Sequence, residues 1–412
     1  MEKQKNIPQL RFPDFYGQWE NRRLDEFLEF KNGINALKEQ YGSGYKYISV
    51  LDILNNDFIT YDKIIGSVDV HKEVINKYPV NYGDILFQRS SETREEVGTA
   101  SVYLDKDKTA TFGGFVIRGR KIGEYEPVFL NKLLKTDLSR NQITSKSGGS
   151  TRYNVGQDIL SSIILPFPTL PEQQKIASFF TAIDHKISQL KRKLTLLEQY
   201  KKGVMQLIFS QQIRFKDDNA QEFPKWDKKK LGEVATFSKG KGISISDTSL
   251  EGTTECIRYG ELYTYYGITI DEVKSRTNIN SDFLVLSEAN DVIIPASGET
   301  QIDIAIASCV LRTGIALGGD LNIIRGPNNG VFLSYYLNNK KKKEIANLAQ
   351  GISVVHLYSR QLSSLEIEIP TLPEQTKIAN FLSSIDNKIN HTRKQIDKVD
   401  VWKKGLMQQM FV

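Results

Sequence analysis

The side chains best equipped to recognise another molecule through paired hydrogen bonds are gathered on a few short turns. Thr151-Arg152-Tyr153-Asn154 is the densest cluster, preceded by Ser147. Arg89, Ser90, Thr93 and Arg94 form a second, and Lys31-Asn32-Gly33 a third. Later in the chain, Lys239-Gly240-Lys241, then Ser297, Thr300 and Gln301, then Ser353, His356, Tyr358 and Arg360 fall in matching places. Arginine, asparagine, glutamine, serine and threonine are the types that read base edges, whereas lysine and tyrosine often meet phosphates. Each loop also has a plain alternative as a solvated turn after a strand, since glycine, serine and asparagine are ordinary turn residues. The run Lys340 to Lys343 reads as a solvated helix end.

Bond-making chemistry is not visible. His71, His185, His356 and His391 form no HExxH pair and no triad that the sequence reveals. The only Gly-Lys pair, Gly240-Lys241, is followed by Gly242 instead of the serine or threonine of a phosphate-binding loop. Cys256 and Cys309 have no CxxC spacing, which reads as reduced thiols in the cytoplasm, with no metal and no disulfide. The expectation is a chain with no catalytic residue that itself binds no cofactor. The opening Met1-Glu2-Lys3-Gln4-Lys5-Asn6 lacks the apolar core of a signal peptide, and no apolar run approaches a membrane span.

Such turns need elements to hold them. With 412 residues, the chain has room for two or three cored domains. Its formal charge is +6, but the surplus is local. Residues 1–165 carry 23 basic and 22 acidic side chains, and residues 211–368 carry 18 and 20. Segments 166–210 and 369–412 carry 7 against 3 and 7 against 4, so the globular parts are near neutral. Charge alone therefore says little about nucleic acid.

The chain is written twice. Pro168-Thr169-Leu170-Pro171-Glu172-Gln173 returns as Pro370-Thr371-Leu372-Pro373-Glu374-Gln375, and residues 168–209 match residues 370–411 at 20 of 42 positions without a gap. Leu10-Arg11-Phe12 is echoed by Ile213-Arg214-Phe215, and Trp19 with Leu24 by Trp226 with Leu231. Gly83-Asp84-Ile85-Leu86-Phe87 returns as Asp291-Val292-Ile293-Ile294, followed by Ser90-Ser91-Glu92-Thr93 and Ser297-Gly298-Glu299-Thr300. The order is a variable domain (1–165), a repeated helix (166–210), a second variable domain (211–368) and a second helix (369–412). Short β-branched and aromatic runs between Gly, Ser and Asn turns make the variable domains mixed α/β, so the class is α+β.

Each repeated segment has the spacing of a capping box at its start, Thr169 with Glu172 and Thr371 with Glu374, and a proline in the first turn. Apolar residues then recur at alternating spacings of four and three. In the first helix they are Ile176, Phe180, Ile183, Ile187, Leu190, Leu194, Leu197, Val204 and Ile208. In the second they are Ile378, Leu382, Ile385, Ile389, Ile396, Val399, Leu406 and Met410. The pattern breaks at Lys201 and Lys403, at the same place in both, and at Thr392 in the second alone. A repeat this long predicts a coiled-coil seam, with the lysines setting register or snorkelling. A helix from Pro171 to Phe209 is roughly 58 Å long at ~1.5 Å per residue. Parallel pairing would force the linker 211–225 back along that length, near its limit of about 50 Å at ~3.3 Å per residue. Antiparallel pairing needs no return. The expectation is two similar domains joined by a two-helix coiled coil with a pseudo-two-fold repeat, suited to a two-part target such as spaced DNA half-sites.

On these features the chain resembles the specificity subunits of Type I restriction-modification systems. The carriers are the two P-T-L-P-E-Q-x-K-I-A-x-F segments, the I-D-x-K-I after each, and the K-K-G-x-M-Q near each helix end. The Arg-Phe, Trp and Leu entry to each half and Gly83-Asp84-Ile85-Leu86 also fit. The resemblance spans the whole chain, strongly in the helices and loosely in the variable domains. It implies two target-recognition domains reading a bipartite, asymmetric site on double-stranded DNA. It also implies two methyltransferase subunits, which would use S-adenosylmethionine, and motor-nuclease subunits for cleavage. The absence of any Pro-Pro dipeptide, needed in an adenine-methylation tetrad, agrees with a non-catalytic subunit. Two rivals are a fused enzyme of which this is the recognition half, and a scaffold spacing two protein-binding modules. A chain ending within the second helix, with no further motif, speaks against the first.

Overall fold

In a computed structural model, which describes residues 6–149, 151–351 and 354–412, the chain forms two compact units. The first comprises residues 1–191 with 394–412, and the second residues 192–393. Each unit thus takes half of each long helix, Leu170–Phe209 and Leu372–Met410.

The first unit is built on a four-stranded antiparallel sheet in the order Leu28–Asn32, Val116–Lys121, Ile85–Gln88, Ala100–Val102. The Ile85–Gln88 strand is buried throughout, as a central strand of a covered sheet must be. A second sheet holds Ser67–Val68, Tyr41–Ile48 and Thr111–Phe112. The second unit repeats the plan with Thr236–Lys239, Leu321–Arg325, Asp291–Pro295 and Ser308–Val310, plus a parallel edge strand, Thr269–Ile270. In each unit a two-stranded ladder, Glu20–Arg23 with Ile164–Phe167 and Asp227–Lys230 with Glu366–Ile369, closes the domain just before a long helix begins.

The seam is antiparallel within each unit. In the first, Ile176, Phe180, Ile183 and Ile187 share a core with Leu406, Met410 and Phe411 from the far end of the other helix. In the second, Met205, Ile208 and Phe209 share one with Ile378, Leu382, Ile385 and Ile389. Leu190 and Ile396 are buried as expected, whereas Leu194, Leu197 and Val399 are only half-buried. Thr392 is fully buried, and its hydroxyl is satisfied by the Lys388 carbonyl one turn back (2.7 Å).

The two lysines that interrupt the heptads have a definite task. Lys201 pairs with Asp386 at 2.5 Å, and Lys403 with Asp184 at 2.5 Å. Lysine and aspartate occupy the same positions of the repeat in both pairs, so the contact is one reciprocal register lock used twice.

The capping-box reading needs correction. The Glu172 carboxylate receives two hydrogen bonds from the Arg11 guanidinium (2.7 Å each) and one from the Trp19 indole (3.4 Å). Glu374 receives the same fork from Arg214 at 3.1 and 2.6 Å. The echoed Arg-Phe is thereby explained: the arginine anchors the segment entering the unit, and Phe12 and Phe215 pack edge-on against Phe179 and Phe381. Because Glu374 is fully buried, Glu374→Ala would leave a shielded guanidinium unpaired. The expected cost is about 3 kcal/mol to the second unit, seen as a lower urea midpoint for that unit with the first unchanged.

Candidate functional site

The predicted loops converge in each unit on the same hydrogen-bond frame. In the first unit, the Gly33 amide donates to the Val116 carbonyl (3.2 Å) and the Ile34 amide to that of Phe112 (2.9 Å). The Arg89 amide donates to the Phe115 carbonyl (2.9 Å), and the Val155 amide to that of Arg89 (3.0 Å). The second unit repeats all four. Gly240 donates to Leu321 (3.0 Å), Lys241 to Leu317 (3.0 Å), Ala296 to Asp320 (2.7 Å) and Leu357 to Ala296 (2.9 Å). A further ladder ties Ser90–Ser91 to Tyr153–Asn154, and its counterpart ties Ser297–Gly298 to Val355–His356. Residues far apart in sequence therefore form one surface per unit.

This frame includes a turn that the sequence reading missed, Gly113-Gly114-Phe115 in one unit and Gly318-Gly319-Asp320 in the other. The signal was present, since Phe112-Gly113-Gly114 and Leu317-Gly318-Gly319 each precede a strand that runs into Arg-Gly or Ile-Arg-Gly. A Cβ on Gly33 would overlap the Gly113 carbonyl, and one on Gly240 would overlap that of Gly318. Only glycine lets the two backbones approach so closely. Gly240→Ala should therefore destabilise the second unit by about 2–4 kcal/mol, measured by urea unfolding, and leave the first unit intact.

Individual side chains divide into those held inward and those displayed. The Lys31 ammonium donates to the Lys77 carbonyl (3.0 Å) and lies over the Tyr78 ring (4.5 Å). Asn32, half-buried, ends its strand opposite Ile117. The Arg89 guanidinium donates to the Gly114 carbonyl (3.2 Å), and the Ser90 hydroxyl to Asn154 Oδ1. Arg94 donates to the carbonyls of Thr144 and Ser145 (3.0 and 3.4 Å), and Ser147 to Thr144 (2.7 Å), closing the end of the helix Asp137–Lys146. Thr93, Thr151, Arg152 and Asn154 are exposed, Tyr153 is half-buried, and Arg152 approaches Glu92 at 3.8 Å.

In the second unit Lys239 sits over the Tyr358 ring (5.7 Å), which stacks on His356 (6.2 Å between centroids). Ser297 is buried opposite His356. Thr300 caps the short helix Gln301–Ile304 by accepting the Asp303 amide (3.2 Å), while Gln301 donates to the Ala349 carbonyl (3.4 Å). Lys241 and Arg360 are exposed. Ser353 lies outside the described residues.

Around the first frame opens a cleft of about 710 Å³. Tyr47, Val50, Leu51, Leu54 and Phe115 give it an apolar lining, and Ser90, Ser91, Glu92, Thr93 and Arg152 a polar one. Burial, aided by a hydrogen bond with Tyr41, pushes the Tyr47 phenol up, so it stays protonated. In the wall of the cleft the Ser91 hydroxyl donates to the Glu96 carboxylate (3.1 Å). Among the described residues no cluster has the ligands for a metal ion. Burial pushes the Cys256 thiol up to about 11 and the Cys309 thiol to about 12, the state of unreactive core thiols. No helix among the described residues is long and apolar enough to cross a membrane.

Comparison with known proteins places this geometry in a family. The model of the Type I restriction modification DNA specificity domain matches residues 16–199 and again residues 224–400. The chain is 26% identical to the protein described as the putative type I restriction enzyme MjaX specificity subunit of Methanocaldococcus jannaschii, over 98% of this chain and 95% of that one. It is 25% identical to the MjaVIII specificity subunit of the same organism, over 98% and 93%. Its fold is that of the crystallised S subunit of a Type-I restriction-modification system from M. genitalium, with a TM-score of 0.60 at 17% identity over 98% and 99% of the two chains.

Proposed function

Because the chain belongs to the Type I restriction modification DNA specificity family, we propose that each of its two units reads one half of a bipartite, asymmetric site on double-stranded DNA. The chain is the recognition component and performs no chemistry. Two methyltransferase subunits, carrying S-adenosylmethionine, would methylate adenine in the site, and motor-nuclease subunits would cleave, all in the cytoplasm. One observation carries the reading. The same hydrogen-bonded frame is built in both units, yet the side chains it displays differ between them, as two different half-sites require. Specificity belongs to base-edge contacts, and the frame supplies their common position.

A second duplicated feature supports two copies of one partner. A groove of about 490 Å³ in the first unit is lined by Asp184, Ile187, Lys191, Asp400 and Lys403. A groove of about 710 Å³ in the second is lined by Asp386, Ile389, Arg393, Glu198 and Lys201, the same repeat positions with the same charge signs. Native mass spectrometry of the reconstituted complex should show two methyltransferase subunits per chain; one at saturation would contradict the duplication.

The direct test is fluorescence anisotropy of the full chain with labelled random duplexes across a salt series. Neutralising several phosphates predicts an affinity that falls steeply with salt, each phosphate contact adding about 0.9 to the log–log slope. No binding at low salt would favour a scaffold that spaces two protein modules.

A further inference from the structure

The Gly-Gly turn is one place where the two frames differ in chemistry. Phe115 and Asp320 are equivalent by three backbone features. Each follows a Gly-Gly pair, each carbonyl receives the matching amide (Arg89 at 2.9 Å, Ala296 at 2.7 Å), and each immediately precedes a strand that pairs with a central strand of its main sheet. Both side chains are exposed to solvent, Phe115 at 64%. Neither residue's side chain has a hydrogen-bond, ion-pair or ring partner among the described residues. Exposed phenylalanine alone means little, because lone apolar residues are common on surfaces. Phe115, however, continues an apolar lining with Leu51, 65% exposed, and Leu54, 39% exposed, beside the polar wall of the same cleft. In the second unit the residues after the matching strand are Tyr259, Gly260 and Tyr263 in place of Val50, Leu51 and Leu54.

We propose that Phe115 and Asp320 are equivalent specificity-determining residues, Phe115 selecting the 5-methyl group of a thymine in the first half-site and Asp320 the N4 amine of a cytosine in the second. An apolar ring rewards the one base that presents a methyl group in the major groove. A carboxylate, which only accepts, rewards a donor there and is repelled by phosphate, so it belongs at a base edge and not along the backbone. Asp320 also sits at φ +59°, a left-handed conformation that aspartate and asparagine tolerate better than other side chains. Its replacement can therefore be chosen to keep the turn.

The inference rests on the reading that each unit recognises a DNA half-site, and the experiment separates the two. The full chain is selected against duplexes with randomised sequence, and the bound pool is sequenced. The wild-type chain should enrich a two-part motif; a pool with no motif would overturn the DNA-reading function itself. Given the motif, Phe115→Asp should lower thymine enrichment roughly tenfold at one position of one half and leave the other half unchanged. Phe115→Leu, still apolar, should keep the thymine. Asp320→Asn, which can pair with adenine through donor and acceptor together, should shift one position of the other half from cytosine to adenine. If both halves stay as in wild type in Phe115→Asp and Asp320→Asn, these residues do not read bases. They are equally excluded as base readers if the three variants, folded by circular dichroism, weaken all sequences alike, since that is the signature of phosphate contacts.

Discussion

A fragment of residues 1–212 is expected to assemble as an antiparallel homodimer and to select palindromic DNA. In the whole chain, Ile176, Phe180, Ile183 and Ile187 are covered by Leu406, Met410 and Phe411. The fragment lacks those three residues, but the repeat supplies Val204, Ile208 and Phe209 at the same positions of its own helix. Two copies lying antiparallel restore the seam. They also restore the ion pairs, because Lys201 is the repeat equivalent of Lys403, the partner of Asp184 at 2.5 Å. Exposed seams of this length drive association, and identical chains close it with two-fold symmetry. The two identical units must then read inverted copies of one half-site. Sedimentation at micromolar concentration should give twice the fragment mass, and duplex selection should give a palindrome of the first half-site. A monomer would overturn the antiparallel seam, and enrichment of the original asymmetric site would overturn the assignment of one half-site to one unit.

Charge-swapped fragments should pair only with each other. In the homodimer each register lock joins Asp184 of one copy to Lys201 of the other. Asp184→Lys places two like-charge pairs in its own homodimer, and Lys201→Asp does the same with carboxylates. A mixture of the two variants restores both pairs, one with the native polarity and one with the charges exchanged. The locks are about four-fifths buried in the whole chain, so screening is incomplete and geometry is fixed. Removing one partner of such a pair costs about 3 kcal/mol, and two locks per dimer make the expected loss of dimer affinity at least a hundredfold. Sedimentation should show each variant as a monomer alone and the mixture as a heterodimer. Dimers of either variant alone, as tight as wild type, would show that the lysines merely snorkel.

The repeat accounts for much of what was legible in the residues alone. An ungapped match over 42 positions fixes helix, period and seam, since a heptad pattern is a local property of side-chain spacing. Ile176 through Leu190 and Ile378 through Ile389 are buried at their seam positions for that reason. Leu194, Leu197 and Val399 share the period yet are only half-buried, because burial also depends on what the opposing surface provides. Candidate loops were legible as turns, but their roles were not. Arg94 and Ser147 close a helix end, and Thr300 starts one, contacts invisible without the helix beside them.

By itself, the sequence determined that the chain has two related halves and that two long helices pair through an apolar seam. The first follows from the long ungapped repeat and the second from residue types at fixed short spacings. Tertiary structure alone decided which residues share a surface. The Gly33 and Gly113 backbones meet across 80 positions of chain, and the repeat offset changes between the loops, 207 for Gly33 and Gly240 but 205 for Gly113 and Gly318, so alignment by eye loses the second glycine pair. Likewise Glu172 has the spacing of a helix cap, but the buried Arg11 fork outcompetes it, since a shielded charge pair outweighs one exposed backbone hydrogen bond. The lysines that break the heptads are locks only because antiparallel pairing carries each to an aspartate of the other helix, a partner that no local spacing can name.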